Sequence, residues 1–266
     1  MNNQLIVKLP PFNPQIVVQV FGEVYDWGLR DLNIPDIHKN TMGESVIVGV
    51  IDSGKPDHFD VINNICGSAN FTSDDEMDHV GHECFVAGII AAEKNNEGVI
   101  GVAPKSKIYS FKAIGNGGSG SPAALTKAII AATEQKVDII SISAGIFVDF
   151  KPMHDAIKQA YDQNIIIIAA TGNSGTREYD VAFPARYPEV IGVAAYDKTH
   201  KIAPFSSRGT NISFAMPGVD IYSTHLNQQF CTESGTSFSA PLLSGICALI
   251  LSKHRQPGII NKTPCN

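Results

Sequence analysis

The sequence is short of the residues that mark several protein classes. Its 266 residues carry a net charge of -6, which gives no reason to expect nucleic acid or an anionic membrane as a partner. The five cysteines are odd in number and contain no CxxC pair, so they indicate neither a disulfide framework nor a zinc ribbon. We therefore expect mostly reduced thiols, which agrees with a cytoplasmic protein.

Long hydrophobic runs and an export leader are also missing. The first residues, MNNQLIVKLPPFNPQ, are polar and broken by prolines, unlike a secretory signal peptide. The longest apolar runs, such as IIIIAA at residues 165–170, are too short to cross a bilayer and are typical of buried strands. We expect a cytoplasmic protein that is not embedded in a membrane.

What the sequence does contain is a regular alternation of two patterns. Short β-branched runs such as SVIVGVID, KIYSFKAI, VDIISIS and IIIIAAT are separated by helical patterns such as HECFVAGIIAAE, PAALTKAIIAATEQ and MHDAIKQAYDQN. Strands that are apolar on both faces and alternate with helices predict a parallel sheet covered on both sides. The fold class is therefore α/β in a single domain, with a last helix from about Ser237 to His254.

Polar residues stand where such a sheet has its reactive crevice, at the carboxyl ends of the strands. Asp52 closes the first strand, and Asn173 follows the strand that ends at Thr171. His82 and Ser237 each begin a helical pattern. Peptide hydrolysis by a serine needs a hydroxyl activated by an imidazole, a carboxylate that orients the imidazole, and donors for the oxyanion. Each requirement has a candidate here.

The flanking residues make this pattern specific. In chain order the blocks are VIDSG, GH followed by VAG, GVAP, IISIS, AATGN, FPARYP, SSRG and GTSFSAP. Over roughly residues 27–253 they resemble the signature blocks of the subtilisin family. The short N-terminal extension and the segment NFTSDDE are most similar to the intracellular subtilisins. The resemblance implies a three-layer subtilisin-like fold and a serine endopeptidase that forms an acyl-enzyme with protein or peptide substrates.

The resemblance also implies roles for individual residues. Ser237 matches the nucleophile, His82 the base, Asp52 the orienting carboxylate and Asn173 the side-chain donor of the oxyanion hole. Two backbone edges match those that pair with an extended substrate. The first comprises Gly118, Ser119 and Gly120, and the second comprises Ser143, Ala144 and Gly145.

A calcium ion is implied in the same way, since calcium in this family pins a surface loop and the N-terminus. The matching positions are Asp57, Glu93, Asn95, Glu97 and Val99, with Glu23 as an additional candidate. Hard oxygen ligands in such a loop suit Ca²⁺.

Some features depart from the family pattern. Glu83, Cys84 and Phe85 stand where Gly-Thr-His is usual, and a charged Glu83 would raise the imidazole pKa of His82. Cys84 is either a thiol near the site or a small buried residue. Phe238 replaces the usual methionine after the nucleophile, which predicts tolerance of peroxide and a narrower crevice. The acidic run TSDDEMD, including Asp78, is expected to be a solvated loop.

These departures, and a chain that stops soon after the last helix, keep two alternatives open. One is a catalytically impaired, peptide-binding or regulatory protein, and the other is a peptide ligase or cyclase that uses the same acyl-enzyme. Two other motifs fit less well. HECFV lacks the second His of a zincin. GNGGSG at residues 115–120 satisfies a dinucleotide-binding pattern, but Ser121 and Pro122 predict that the helix begins only after the third glycine.

The expected organisation is an N-terminal extension over residues 1–20 and a C-terminally short peptidase domain over residues 21–266. The Pro-rich extension suits docking as a strand and resists cleavage near proline, so a short pro-segment across the groove is one interpretation. The sequence leaves open a homodimer.

Overall fold

The computed structural model describes residues 5–17, 22–176 and 181–255. The strands are β1 Val7–Lys8, β2 Gln15–Val17, β3 Ile47–Asp52, β4 Ile65–Asn70, β5 Lys107–Lys112, β6 Ser119–Gly120, β7 Ile139–Ile142, β8 Ile166–Ala170, β9 Ile191–Tyr196, β10 Phe214–Pro217, β11 Ile221–His225 and β12 Gln229–Glu233. The helices are α1 Trp27–Asp31, α2 Ile34–Ile37, α3 His82–Ala91, α4 Pro122–Glu134, α5 Lys151–Asp162 and α6 Thr236–His254. The boundary predicted between residues 20 and 21, and the end of the predicted domain, lie outside the described residues.

Seven strands form a parallel sheet in the order β10-β9-β8-β7-β3-β5-β4. The chain enters this sheet in its centre at β3, adds β4 and β5 on one side, and then adds β7 and its successors on the other. A crevice forms at such a switch point, at the carboxyl ends of the strands. Asp52, the last residue of β3, lies at this place. The predicted α/β fold with a parallel sheet is confirmed.

The sheet is buried on both faces, which explains why its strands are continuous apolar runs. Along β3, Val48 and Val50 pack in a core cluster with residues of α3 and α6. Ile47 and Ile51 point to the other face and pack in a second cluster with residues of α4 and α5. Helices therefore cover both faces, giving the predicted three layers.

Two small antiparallel sheets involve the N-terminal segment. β1 pairs with β6, and β2 pairs with β12 beside the hairpin that β12 forms with β11. Residues 5–17 are thus held by main-chain hydrogen bonds at two separate places. We call residues 5–17 the N-terminal strap.

The predicted helix starts are confirmed at α4 and α6. The Ser121 hydroxyl accepts the N–H of Ala124 at 3.0 Å, so α4 begins after the third glycine of GNGGSG and not within it. In the described ranges, α6 is the one helix long and apolar enough to cross a membrane, and 67% of that stretch is buried inside the molecule.

The cysteines differ in part from the prediction. Cys84, Cys231 and Cys247 are free thiols, as expected, whereas Cys66 is disulfide-bonded. Cys265 lies outside the described residues. Cys84 is fully buried, and burial raises the pKa of its thiol well above the usual value. This favours the interpretation of Cys84 as a small core residue.

Candidate active site

Asp52 and His82 are in contact at the carboxyl end of the sheet. Nδ1 of His82 lies 2.8 and 2.9 Å from the two carboxylate oxygens of Asp52, and both side chains are fully buried. A carboxylate in this position holds the proton on Nδ1 and leaves Nε2 as the basic nitrogen. Nε2 of His82 is buried and has no hydrogen-bond partner within the described chain.

The start of α3, where His82 is the first residue, is fixed by side chains from other segments. A carboxylate oxygen of Asp78 accepts the N–H of Cys84 at 2.9 Å. The hydroxyl of Ser53 accepts the N–H of Glu83 at 3.0 Å and donates to Asp78 at 2.9 Å. Because a helix start leaves backbone N–H groups without acceptors, these bonds stabilise it and fix His82 relative to the end of β3.

Ser237 is the second residue of α6 and is almost fully buried. Its Oγ donates to the carbonyl of Ser143 at 3.0 Å, while the hydroxyl of Ser143 donates to the carbonyl of Ser237 at 2.8 Å. Ser237 Oγ is therefore hydrogen-bonded to the main chain and not to His82. A hydrogen bond between a nucleophile and its base often forms only when substrate is bound. The helix start offers backbone N–H groups to a negative oxygen.

Asn173 follows β8 and faces the start of α6. Its Oδ1 accepts the N–H of Thr236 at 3.0 Å and the hydroxyl of Thr236 at 2.8 Å. These two bonds occupy the carbonyl end of the amide and leave Nδ2 as a donor. Gly235 keeps the space beside it open, since a Cβ there would lie 3.3 Å from Nδ2.

Both predicted substrate edges contact the N-terminal strap. The N–H of Leu9 donates to the carbonyl of Gly118 at 3.2 Å. The paired residues are Val7 with Gly120, Lys8 with Ser119, and Lys8 with Gly145. The strap thus runs as an extended strand between the two edges. Ser143 and Ala144 line the cavity beside it.

The strap continues across the catalytic residues. Pro10 and Pro11 line the same cavity as Ser237 and Asn173. The ring centroid of Phe12 then lies 5.4 Å from that of His82, in an edge-on arrangement. Residues of the same chain therefore lie in the crevice, beside the remaining cavity.

An aromatic cluster surrounds His82 on the side of Phe12. The ring of Phe238 lies 5.5 Å from His82 and 4.5 Å from Phe85, and the ring of Phe12 lies 5.7 Å from His225. Phe238 is thus in direct contact with the imidazole of His82, while the narrower crevice stays a prediction.

Comparison of the sequence with known proteins identifies the family of the chain. A sequence model of the subtilase family (peptidase S8) matches residues 43–263, a range that contains all four candidate catalytic residues. The chain belongs to the subtilase family.

Named relatives of this subtilase are serine proteases. It is 38% identical over 233 residues to an intracellular serine protease of Paenibacillus polymyxa, covering 84% of this chain and 72% of the relative. It is 36% identical over 262 residues to the major intracellular serine protease of Bacillus subtilis (strain 168), covering 94% and 82%. The minor extracellular protease Epr of the same strain is 36% identical over 239 residues, which cover 88% of this chain and only 36% of the relative. The subtilase thus spans about a third of the length of Epr.

Glu83 of this subtilase does not act on His82 as predicted. Its carboxyl group is fully buried, with Oε2 accepting the N–H of Gly54 at 2.8 Å. Oε1 forms a short hydrogen bond with the hydroxyl of Ser110. Burial, followed by repulsion from Asp52, raises the pKa of Glu83 well above its usual value. This direction favours the uncharged form of the carboxyl group and argues against the predicted negative charge beside His82.

The residues predicted to bind calcium are only partly brought together. Asp60, and not Asp57, faces the loop at residues 93–99, and its carboxylate accepts the side-chain amide of Asn95 at 2.8 Å and the N–H of Val99 at 2.9 Å. Asp57, the predicted ligand, is exposed and does not face this loop, whereas Asp60 is buried against it. Glu23 contacts the loop as expected, accepting the N–H of Asn95 at 2.8 Å.

The charges at this loop favour a cation. Burial, with repulsion from Glu23 and Glu93, raises the pKa of Asp60 to about 7 against the lowering effect of its hydrogen bonds. Oε1 of Glu93 is buried and has no hydrogen-bond partner among the residues that the structure describes. The described ranges hold no cluster of three or more acidic, His or Cys side chains in metal-binding geometry. Asp60 and Asn95 are the side chains that could hold a cation at this loop. Glu97 contributes its N–H to Asn95 Oδ1 at 2.8 Å.

Two functional residues were missed or misjudged in the sequence. Asp78 was expected in a solvated loop, but its side chain is buried and caps α3. Its position four residues before the first residue of a helix is a usable signal. Asp60 follows the short segment DSGKPD, and only the fold shows which of two nearby aspartates turns inward.

Proposed function

We propose that this subtilase is a serine endopeptidase that hydrolyses peptide bonds through an acyl-enzyme. The observation that carries the proposal is the buried Asp52–His82 pair beside the start of α6, where Ser237 lies. In the proposed reaction, Ser237 Oγ attacks the scissile carbonyl as its proton passes to His82 Nε2. That proton then goes to the leaving amine, and water hydrolyses the resulting ester by the same route in reverse. Asp52 orients the imidazole and stabilises its charged form.

The negative oxygen that forms during the attack needs preorganised donors. Nδ2 of Asn173 and the N–H of Ser237 are the proposed pair, because Thr236 occupies the other end of the Asn173 amide. For subtilisin itself, removing such an amide costs about 100- to 1,000-fold in turnover, which sets the scale for Asn173→Ala.

Substrates are proposed to be proteins or peptides bound as an added strand between the two backbone edges. The strap supports this, because its own main chain is held there by backbone hydrogen bonds. Recognition through the main chain tolerates many sequences, so we expect broad specificity.

Covalent labelling tests the nucleophile. The full-length chain, with and without calcium, is treated with a fluorophosphonate, and mass spectrometry locates the adduct. We expect the adduct on Ser237 and its loss in Ser237→Ala. Ser239→Ala is the matched control, since Ser239 lies in the same helix with its hydroxyl bonded to main-chain carbonyls. A folded chain that gives no adduct even when the N-terminal strap is loosened would instead favour the impaired, peptide-binding alternative. Product masses with an added amine separate hydrolysis from ligation.

We further propose that the strap is a short pro-segment that blocks the site. The contact of Phe12 with His82 and the pairing of β1 with β6 support this role. Val7 and Leu9 are 0% and 9% exposed, so Val7→Asp with Leu9→Asp should loosen the strap and speed labelling of Ser237. Lys8→Asp, at an exposed side chain of the same strand, should have little effect. Equal labelling rates in all three proteins would contradict a blocking role.

A calcium ion and a cellular location are further proposals, and a homodimer is a further prediction. A calcium ion at Asp60 and the loop at residues 93–99 is proposed from the raised pKa of Asp60 and the unpartnered Glu93 oxygen. A cytoplasmic location is proposed because two relatives are named intracellular serine proteases. A homodimer stays a prediction, which sedimentation analysis would test.

A further inference from the structure

The carboxyl group of Glu83 bridges two chain segments beside the proposed triad. Glu83 follows His82 in the first turn of α3, and its side chain is fully buried. One oxygen accepts the N–H of Gly54, at 2.8 Å, in the turn that follows β3. The other meets the hydroxyl of Ser110, on the neighbouring strand β5. One side chain thus connects the helix of the base, the turn after the carboxylate and the next strand.

A second link runs parallel to the first. The backbone N–H of Glu83 donates to the hydroxyl of Ser53 at 3.0 Å, and the N–H of Ser53 donates to the carboxylate of Asp52 at 2.7 Å. Both residues that follow Asp52 are therefore bonded to Glu83. The turn itself is tight, since Gly54 has a φ of 128° and a Cβ there would lie 2.7 Å from a main-chain oxygen.

Burial, and then the groups that face Glu83, raise the pKa of its carboxyl group. Asp52 at the end of β3 and Asp78 before α3 both repel a negative charge there. Lys112 on β5 is buried too, but its ammonium group donates to the carbonyl of Met77 and the side chain of Asn116. Both carboxyl oxygens accept in this geometry, Oε1 from the Ser110 hydroxyl and Oε2 from the N–H of Gly54.

We infer that Glu83 is a positioning residue for the proposed reaction, because its carboxyl group fixes the turn after β3 and so holds the Asp52 carboxylate against His82. The inference rests on the proposed peptidase function, and Glu83 acts through Asp52 without touching substrate. Without this side chain, the buried N–H of Gly54 loses its acceptor and the turn gains freedom. A displacement of about 1 Å in catalytic geometry can cost about 100-fold in rate.

Three substitutions in the full-length chain separate positioning from packing. Glu83→Gln still bonds both partners, since its amide oxygen accepts from Gly54 and its amide nitrogen donates to the Ser110 hydroxyl, which is the donor in the wild type. Glu83→Met fills a similar volume but makes neither bond, and Glu83→Ala removes both volume and bonds. We expect kcat within about threefold of wild type for Glu83→Gln, and a fall of about 10- to 100-fold for the other two. KM should change by less than about twofold, because substrate binding is untouched.

The inference is overturned if Glu83→Met keeps the wild-type kcat, or if Glu83→Gln loses as much as Glu83→Ala. Should the Ala and Met variants fail to fold, Ser110→Ala removes one arm of the bridge and leaves Glu83 in place. It should lower kcat by about three- to tenfold, and an unchanged kcat in this variant overturns the inference too. Fluorophosphonate labelling of the wild type keeps the two proposals apart. A chain that stays unlabelled even with Val7→Asp and Leu9→Asp in the strap defeats the peptidase function, whereas equal labelling of wild type and Glu83→Met defeats only the role of Glu83.

Discussion

Each side chain in the site is held in one orientation because a neighbouring residue occupies one of its hydrogen-bonding ends. Both carboxylate oxygens of Asp52 lie within 2.9 Å of Nδ1 of His82, which leaves only Nε2 for the nucleophile. Thr236 takes the carbonyl end of Asn173 and leaves the amide nitrogen. The chemistry at each position therefore depends on a hydrogen bond made at the opposite end of the same side chain.

Asp52→Asn tests this arrangement at the residue scale. The amide keeps the shape of the carboxylate but offers an N–H to Nδ1, so His82 adopts the wrong tautomer. We expect a folded protein whose kcat falls by about 10⁴-fold with a peptide substrate. Asp155→Asn, at an exposed carboxylate of α5, is the control and should retain full activity. A variant of Asp52 with near wild-type kcat would argue against the proposed roles of both residues.

Two elements lie against these residues: helix α3, which begins at His82, and the N-terminal strap, whose Phe12 contacts it. Helix α3 begins at His82, directly after Gly81, whose φ of 86° suits glycine. A Cβ at Gly81 would lie 2.5 Å from the ring of His225. The chain that leads into α3 is thus constrained at Gly81 and by the Asp78 side chain that caps the helix. Both constraints fix the position of the His82 imidazole.

Asp78→Ala should destabilise α3 and with it the whole protein. The side chain of Asp78 accepts N–H groups at the helix start and the hydroxyl of Ser53, all in a buried setting. Removing it leaves these donors without an acceptor, which costs about 2 kcal/mol or more. The midpoint of urea unfolding should fall accordingly. Asp75→Ala, in the exposed part of the same acidic run, should leave the midpoint unchanged.

The strap prolines make a separate prediction. The N–H of Leu9 is bonded to a substrate edge, so Pro10 and Pro11 follow in the direction of Ser237. Proline lacks an N–H and fixes φ, which hinders attack on the bond between them. We expect Pro10→Ala with Pro11→Ala to be cut within residues 9–12, as mass spectrometry of the purified chain would show. The same strap in a Ser237→Ala background should stay intact, and cleavage there would point to a contaminating protease.

At the scale of the whole molecule, the fold and the four catalytic candidates could be predicted because they follow local rules. Apolar runs mark buried strands, and a polar residue that ends a strand lies at the crevice. The orientation of the Glu83 side chain could not be predicted, because its partner Ser110 on β5 comes close to it only in the folded sheet. The choice of Asp60 over Asp57 likewise depends on how a short segment turns, and the flanking residues do not determine that.

Stability against pH offers a test of the calcium proposal. The pKa of Asp60 is about 7 in the folded chain, against about 3.9 for an unfolded aspartate. Protonated Asp60 therefore favours folding below about pH 4, and this contribution is lost as pH rises through about 7. Without calcium, the Tm should fall over that window. A bound cation takes the charged carboxylate instead, so calcium should raise the Tm more at pH 8 than at pH 5.

Asp60→Asn is the matched variant for this experiment. It keeps the side-chain shape and removes both the titration and the negative charge. We expect its Tm to respond less to calcium and to vary less between pH 4 and 7 than that of the wild type. Identical Tm values for the wild type with calcium and with a chelator at pH 8 would count against a calcium ion at this loop.

The strap pairs with the rest of the chain at two places, on β6 and on β12. This has a consequence for the rate at which the proposed pro-segment would be removed. A tethered blocker acts at a local concentration of the order of mM, so few free peptides displace it. Each molecule presents its own prolines to its own nucleophile, and proline hinders the cut. A neighbouring molecule would therefore make the first cut. Each molecule freed in this way can free others. Activation would then be second order in protein, with a lag that shortens on concentration or on addition of a trace of processed material.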